Sequence, residues 1–205
     1  WSVVLSSNSD AAVRAAEGVL RRVLGESAQR FELRTVGNSA SGDRFVVEAN
    51  GGTVRIEGTS AIALCRGAYT YLREACDQQF TWSGWEVKLP KLLPDFKRTE
   101  GGTPAQYRHY FNVCTFGYTT VWWDWKRWQR EIDWMALHGI NMPLAMNGQE
   151  SVWREVFGSI GVPKTSIDKH FSGPAFLPWH RMGNLNSHMG PLPESWHRGQ
   201  EALQK

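Results

Sequence analysis

Residues 110–150 read YFNVCTFGYTTVWWDWKRWQREIDWMALHGINMPLAMNGQE, and the order of patterns within them decides the fold class. HYFNVCT, beginning at His109, is a candidate buried strand. Asp124 stands where an N-cap belongs, and Trp125, Trp128, Ile132 and Met135 recur at i, i+3, i+7 and i+10 before Gly139, which predicts one amphipathic helix. INMPLAM follows at once as a second, nearly all-apolar strand. A strand, a crossover helix and another apolar strand make a parallel βαβ unit, hydrophobic because both faces of such a sheet are covered. Ligands in these folds sit beyond the strand C-termini, so Cys114 to Tyr118 and Asn147 to Glu150 fall on the expected binding rim.

Upstream, the first hundred residues read as a small α/β unit. VVLSS predicts a strand, and Asp10 opens a helix whose Val13, Ala16, Val19, Leu20, Val23 and Leu24 form one stripe before Gly25. RFELRTV, RFVVEA and TVRIEG predict strands, with Asn50-Gly51-Gly52 marking a hairpin turn. Thr59 or Ser60 can cap a second helix through Leu64, Ala68, Tyr69 and Leu72, and a short strand is expected around Trp85-Glu86-Val87. Pro90 to Pro104, PKLLPDFKRTEGGTP, is rich in Pro and Gly without periodicity and reads as a linker. This places a domain boundary there, dividing the chain into residues 1–104 and 105–205.

Downstream of Glu150, Trp153, Val156, Phe157 and Ile160 mark a short helix closed by Gly161, and Thr165 to Asp168 resembles a capping box. The next stretch, FSGPAFLPWHRMGNLNSHMGPLPES, is turn-rich and long, as functional loops are. SWHRGQEALQK then begins a helix that runs to the last residue. A (β/α)₈ barrel takes about 250 residues, so two barrel strands cannot close one. The fold class expected is therefore α/β, a small N-terminal α/β domain followed by the first βα units of an incomplete TIM-type barrel that depends on further chain.

Composition narrows the function. The net charge is only +3 and no Lys/Arg run occurs, so a nucleic-acid partner is not expected. No window of about 18 apolar residues exists to span a membrane, and the N-terminus lacks the pattern of a signal peptide. Cys65 and Cys76, if on one helix, lie about 16 Å apart and cannot bridge. The six histidines lack metal-ligand spacing, so no metal or other cofactor is expected.

The aromatic content suggests sugar chemistry, since sugar rings present C–H faces that rest on aromatic rings. Trp122, Trp123, Trp125, Trp128 and Trp134 could supply such a platform, although the helical spacing of those on the stripe favours packing. Trp179, in the irregular stretch, is open to either role. Asn112 and Cys114 lie two apart and would share one strand face, pointing into a barrel mouth. Glu150 is placed either for acid–base work or for the helix dipole, and Asp124, Glu131 and Asp133 are expected to cap and solvate the first helix of the barrel.

VWWDWKRWQREIDWMALHGIN, NGQE, FSGPAFLPWHRMGN and GPLPESWH resemble, in this order and over roughly residues 85–205, the alpha-N-acetylglucosaminidase family of glycoside hydrolases. The first hundred residues are similar in pattern to the small α/β domain that precedes the barrel there. The resemblance implies an exo-acting, lysosomal enzyme that removes terminal α-linked N-acetylglucosamine from the non-reducing end of heparan sulfate, working as a homo-oligomer. It implies that Asn112, Cys114 and Trp179 line the pocket for that sugar. It also implies a retaining mechanism whose two catalytic glutamates lie beyond residue 205, so that Glu150 is not one of them and no catalytic residue is expected in this chain. The competing expectation is a truncated, non-catalytic product that binds sugar or another protein.

Overall fold

The computed structural model describes residues 2–37 and 42–205, with side chains described from Ala11 onward. Contacts divide the chain into a first unit, Trp1–His109 with Gln129–Met142, and a second, Tyr110–Trp128 with Pro143–Lys205.

The first unit opens with helix α1, Ser2–Leu24, which takes up the VVLSS segment expected to be a strand. No Gly or Pro interrupts residues 2–17, and once a helix has nucleated each added residue gains a hydrogen bond at little cost. The predicted stripe holds: Ala16, Val19 and Leu20 are buried, with Val13, Val23 and Leu24 packed beside them. Strands β1 (Phe31–Thr35), β2 (Asp43–Asn50) and β3 (Thr53–Gly58) follow, then helix α2 (Ala61–Glu74). Strands β2 and β3 form the expected antiparallel hairpin, and β1 pairs with β3 in parallel. Ser60 is the cap of α2, its hydroxyl accepting from the Ala63 N–H at 3.0 Å.

The predicted linker is instead a strand. Residues Phe96–Thr103 form β4, antiparallel to β2, completing the sheet order β1-β3-β2-β4. Its glycines answer a packing demand: a Cβ at Gly101 would sit 2.4 Å from the Phe45 ring, so only the smallest residue admits that ring. Conversely, the strand expected around Trp85-Glu86-Val87 is absent. Gln78 Oε1 takes the Lys88 N–H, and Trp85 packs edge-on against Phe80 at 5.2 Å, so side chains rather than a sheet hold this segment. The core lies between the sheet and helices α1 and α2, with Val47, Val54, Ile56, Leu64, Tyr71 and Leu72 inaccessible or nearly so.

Strand β5 is only His109–Tyr110, followed by α3 (Thr115–Tyr118), α4 (Trp125–Leu137) and β6 (Met142–Pro143). Met142 N–H donates to Arg108 C=O at 3.2 Å and Leu144 N–H to Tyr110 C=O at 2.9 Å. The equal offset means that β5 and β6 run in parallel, as a βαβ unit requires. Both are shorter than their apolar runs suggested, and Met142 is 41% exposed, because each pairs along one edge only among the described residues. Asp124 caps α4 as expected, its Oδ1 accepting from the Arg127 N–H at 2.8 Å. The buried face of that helix differs from prediction. Trp128 and Met135 point inward, but Trp125 and Ile132 are exposed while Glu131 and Asp133 are buried.

These two carboxylates neither cap nor solvate the helix. Asp133 receives two hydrogen bonds from Arg22 of α1, at 2.6 and 2.8 Å, and Glu131 receives the Trp82 indole N–H at 2.8 Å. A buried acid needs such partners, because an unpaired one would cost several kcal/mol.

The second unit continues with α5 (Gln149–Ser159), α6 (Lys164–His170), a 3-10 turn at Pro174–Phe176, α7 (Leu177–Arg181) and α8 (Glu194–Gln204). The Thr165 capping box is not formed: α6 starts one residue earlier, without a side-chain cap, and Lys164 pairs with Asp168 one turn on. On α5, Trp153 and Phe157 face the small core of Ile167, Phe171, Leu177 and Leu192, whereas Val156 and, just past the helix end, Ile160 are exposed.

Candidate functional site

Strand β5 ends at Tyr110 because the chain turns there: Phe111 adopts φ +70, outside the extended region. Asn112 and Cys114 therefore do not share a strand face; they sit in the turn that leads from β5 into α3. The Asn112 side chain caps that helix, its Oδ1 accepting from the Thr115 N–H and hydroxyl, each at 3.1 Å. Cys114 occupies the N-cap position itself. Capping chemistry competes with strand extension in Asn, which explains why an apolar run beginning as a strand stops early. Asn112 remains exposed and Cys114 half-buried, so both are open to a ligand beyond the strand end.

Trp179 is not in irregular structure. It lies on α7, half-buried, between Leu177 and His180, which are 2% and 5% exposed. Gly117 brings α3 and the α7 segment together: a Cβ there would come within 2.7 Å of Pro178 Cγ and 2.8 Å of the Ala175 carbonyl. That contact sets Tyr118, the last residue of α3, edge-on against Trp179 with ring centroids 5.3 Å apart. Tyr118 is 68% exposed. Within the second unit, then, two aromatic rings form a wall at the end of α3, and an amide and a thiol stand at its start. Apolar ring faces with a few polar groups nearby are what a sugar ring requires. Tyr118 falls within the expected binding rim, but nothing in GYTT names its partner; only the Gly117 contact reveals its neighbour.

The other tryptophans divide. Trp128 is buried among Phe111, Phe116 and Trp123, and Trp134 stacks on His138 at 4.2 Å, so both serve packing. Trp123 carries the Arg127 guanidinium 3.7 Å above its ring. Trp122 is 70% exposed, edge-on to Trp196 at 5.7 Å, and Trp125 is exposed, so the helix stripe does not gather them into one platform.

Glu150 neither faces solvent nor waits for a substrate proton. It is 1% exposed, in the first turn of α5, and its two oxygens accept from Arg181 Nε and a terminal guanidinium nitrogen at 2.7 and 2.9 Å. His180 and His197 are buried nearby around Phe171. Burial pushes both imidazoles below the ordinary histidine value; His170 adds to this for His180 and Arg154 for His197. No described group of three or more His, Cys, Asp or Glu residues is placed to hold a metal ion, and no described helix is long and apolar enough to cross a membrane.

A parallel βαβ unit with its polar and aromatic groups just past the first strand is the arrangement of a TIM-type barrel enzyme. The family described as "Alpha-N-acetylglucosaminidase (NAGLU) tim-barrel domain" matches residues 108–205, and its N-terminal domain matches residues 14–95. The alpha-N-acetylglucosaminidase of Homo sapiens is 50% identical over 153 residues, 74% of this chain and 20% of that protein. A family 89 glycoside hydrolase from Clostridium perfringens, solved in complex with 2-acetamido-1,2-dideoxynojirmycin, superposes with a TM-score of 0.90 at 29% identity, over 97% of this chain and 23% of that one. A form of that enzyme with two Glu→Gln substitutions, in complex with its substrate GlcNAc-alpha-1,4-galactose, gives a TM-score of 0.88 at 30% identity, covering 94% and 22%. The chain belongs to the alpha-N-acetylglucosaminidase family, and its fold is the small α/β domain of that family with the opening βα units of its barrel. It spans about a fifth of the length of these relatives.

Proposed function

We propose that this chain is the N-terminal portion of an exo-acting α-N-acetylglucosaminidase, and that the complete enzyme hydrolyses terminal non-reducing α-linked N-acetylglucosamine from heparan sulfate. Asn112, Cys114 and Trp179 line the pocket for that sugar, with Tyr118 beside them. The observation that carries this is the Gly117 contact, which packs α3, the helix that Asn112 caps and Cys114 begins, against the segment that bears Trp179. The relatives support the substrate class, since one is solved with an α-linked N-acetylglucosaminide. In this reading residues 1–104 form the N-terminal domain and 105–205 the start of the catalytic barrel, which fits the two family matches. The enzyme acts in the lysosome as a homo-oligomer.

Retaining hydrolysis needs an acid/base and a nucleophile about 5 Å apart. The buried acids described here, Glu131, Asp133 and Glu150, are each committed to a structural partner. The 205-residue chain alone is therefore expected to release no product from an aryl α-N-acetylglucosaminide, while the complete enzyme turns it over. Turnover by the purified 205-residue chain would contradict the assignment of the catalytic glutamates to later strands, and inactivity of the complete enzyme on this substrate would contradict the proposed reaction.

A further inference from the structure

The Glu150–Arg181 pair lies in the second unit and forms no part of the wall described above. Its side chains are 2% and 5% exposed, and the two hydrogen bonds run fork to fork. A buried pair of this kind is a poor source of net stability, because desolvation offsets most of the attraction. What a bidentate guanidinium–carboxylate contact does supply is a fixed mutual orientation, since both groups are planar and both bonds must be met at once.

The element it orients is α7, Leu177–Arg181, too short to hold its own shape by helix propagation. Arg181 is its last residue and Trp179 lies two residues earlier. Leu177 and Pro178 fix the start of this helix, by burial in the small core and by contact with Gly117 respectively. The Arg181 fork fixes the other end. Glu150, for its part, stands in the first turn of α5, three residues after Asn147. Asn147 is itself tied to α8 through Gln200 and Gln204 at 2.8 and 2.7 Å. The carboxylate is thus anchored in a turn that is already held, and the guanidinium hangs from the element that carries the aromatic wall.

We propose that Glu150, acting through Arg181, is a positioning residue for Trp179: the two-point contact sets the rotation of α7 and so the angle at which the Trp179 ring meets Tyr118 and faces the sugar. This rests on the reading of Trp179 as part of the pocket. A loss of the fork should loosen substrate binding without slowing the chemical step, because the ring contacts bound sugar alike in ground and transition states.

The kinetic comparison sets three forms of the complete enzyme beside wild type: Arg181→Lys, which keeps the charge but loses the fork; the uncharged pair Glu150→Leu with Arg181→Met; and Trp179→Ala as reference. Each is assayed for kcat and KM on an aryl α-N-acetylglucosaminide. Fluorotryptophan labelling gives a fluorine resonance for Trp179, identified by its loss in Trp179→Phe. Arg181→Lys and the uncharged pair are expected to raise KM roughly tenfold with kcat within about twofold, and to move or broaden the Trp179 resonance selectively. An unchanged KM with an unmoved Trp179 resonance in either variant that folds would overturn the proposal. Failure of both to fold would reduce the pair to a structural element and overturn it too. If Trp179→Ala alone leaves KM unchanged, the pocket reading fails, and the fluorine resonance still decides whether the pair positions the ring.

Discussion

Val47, Ile56, Leu64 and Leu72 in the first unit, and Phe171, Leu177, Glu150 and His180 in the second, are all nearly closed to water, but their surroundings differ. The first group is surrounded by other aliphatic and aromatic side chains from two helices and a four-stranded sheet. The second group mixes a small apolar core with a buried ion pair and imidazoles that contact Phe171 and Trp153. Apolar packing tolerates substitution as long as volume is kept, whereas a buried charge depends on one particular partner. The aliphatic core of the first unit is therefore expected to fail gradually under mutation and the Glu150–Arg181 pair of the second abruptly.

The largest effect expected is at Arg181. Replacing it with alanine leaves the Glu150 carboxylate buried without its partner, at a cost of about 3–5 kcal/mol. Amide hydrogen exchange over residues 149–181 should accelerate accordingly, while residues 43–72 keep their protection. Uniform acceleration of both segments would erase the distinction between the units.

Leu64→Ala comes next. The side chain is fully buried against the sheet, and such truncations cost about 2–5 kcal/mol depending on how far the cavity collapses. Leu64→Met, nearly equal in volume, should cost less than about 1.5 kcal/mol. Denaturant midpoints for the two variants check this, and equal losses would mean that this core is more specific in shape than its composition implies.

Acid should sharpen the contrast. Burial lowers the folded-state values of His180 and His197, so in the unfolded chain these groups take up protons first as the pH falls below about 6.5. The stability they contribute is present above that value and is lost as the pH drops toward their folded values. Exchange of the backbone around residues 170–197 should rise between pH 7 and pH 5. His138 in the first unit, also lowered by burial, contributes in the same direction, one group beside the pair in the second unit. The acid effect should accordingly be smaller there, and an equal or larger one in the first unit would contradict this account.

The same contrast decides what was legible in the sequence. The α1 and α2 stripes, the Ser60 and Asp124 caps and the β2–β3 hairpin rest on local chemistry repeated at a fixed period, and all of them form. The β4 segment was hidden because Gly101 serves Phe45, a residue more than fifty positions away, and not a flexible tether. The HYFNVCT strand was overestimated because Asn112 turns its side chain to capping α3. The partners of the buried acids went unread for a related reason. Asp133 finds Arg22 across 111 residues and Glu150 finds Arg181 across 31, separations at which no periodicity speaks. At the candidate site, the three residues expected from the family resemblance are exposed or half-buried. The Tyr118–Trp179 contact became visible only with the packing of α3 on α7, and the Arg181 fork only with that of α7 on α5.

We propose that the tryptophans of this chain divide between a sugar-facing wall and a packing role, and a paired substitution in the complete enzyme separates the two. Trp179→Ala should raise KM for an aryl α-N-acetylglucosaminide while leaving the melting temperature nearly unchanged. Trp128→Ala, which empties a site among Phe111, Phe116 and Trp123, should lower the melting temperature with a cost of about 3–5 kcal/mol and leave KM near wild type in the folded fraction. Equal thermal destabilisation by both, with unchanged kinetics in both, would contradict the division and remove Trp179 from the pocket.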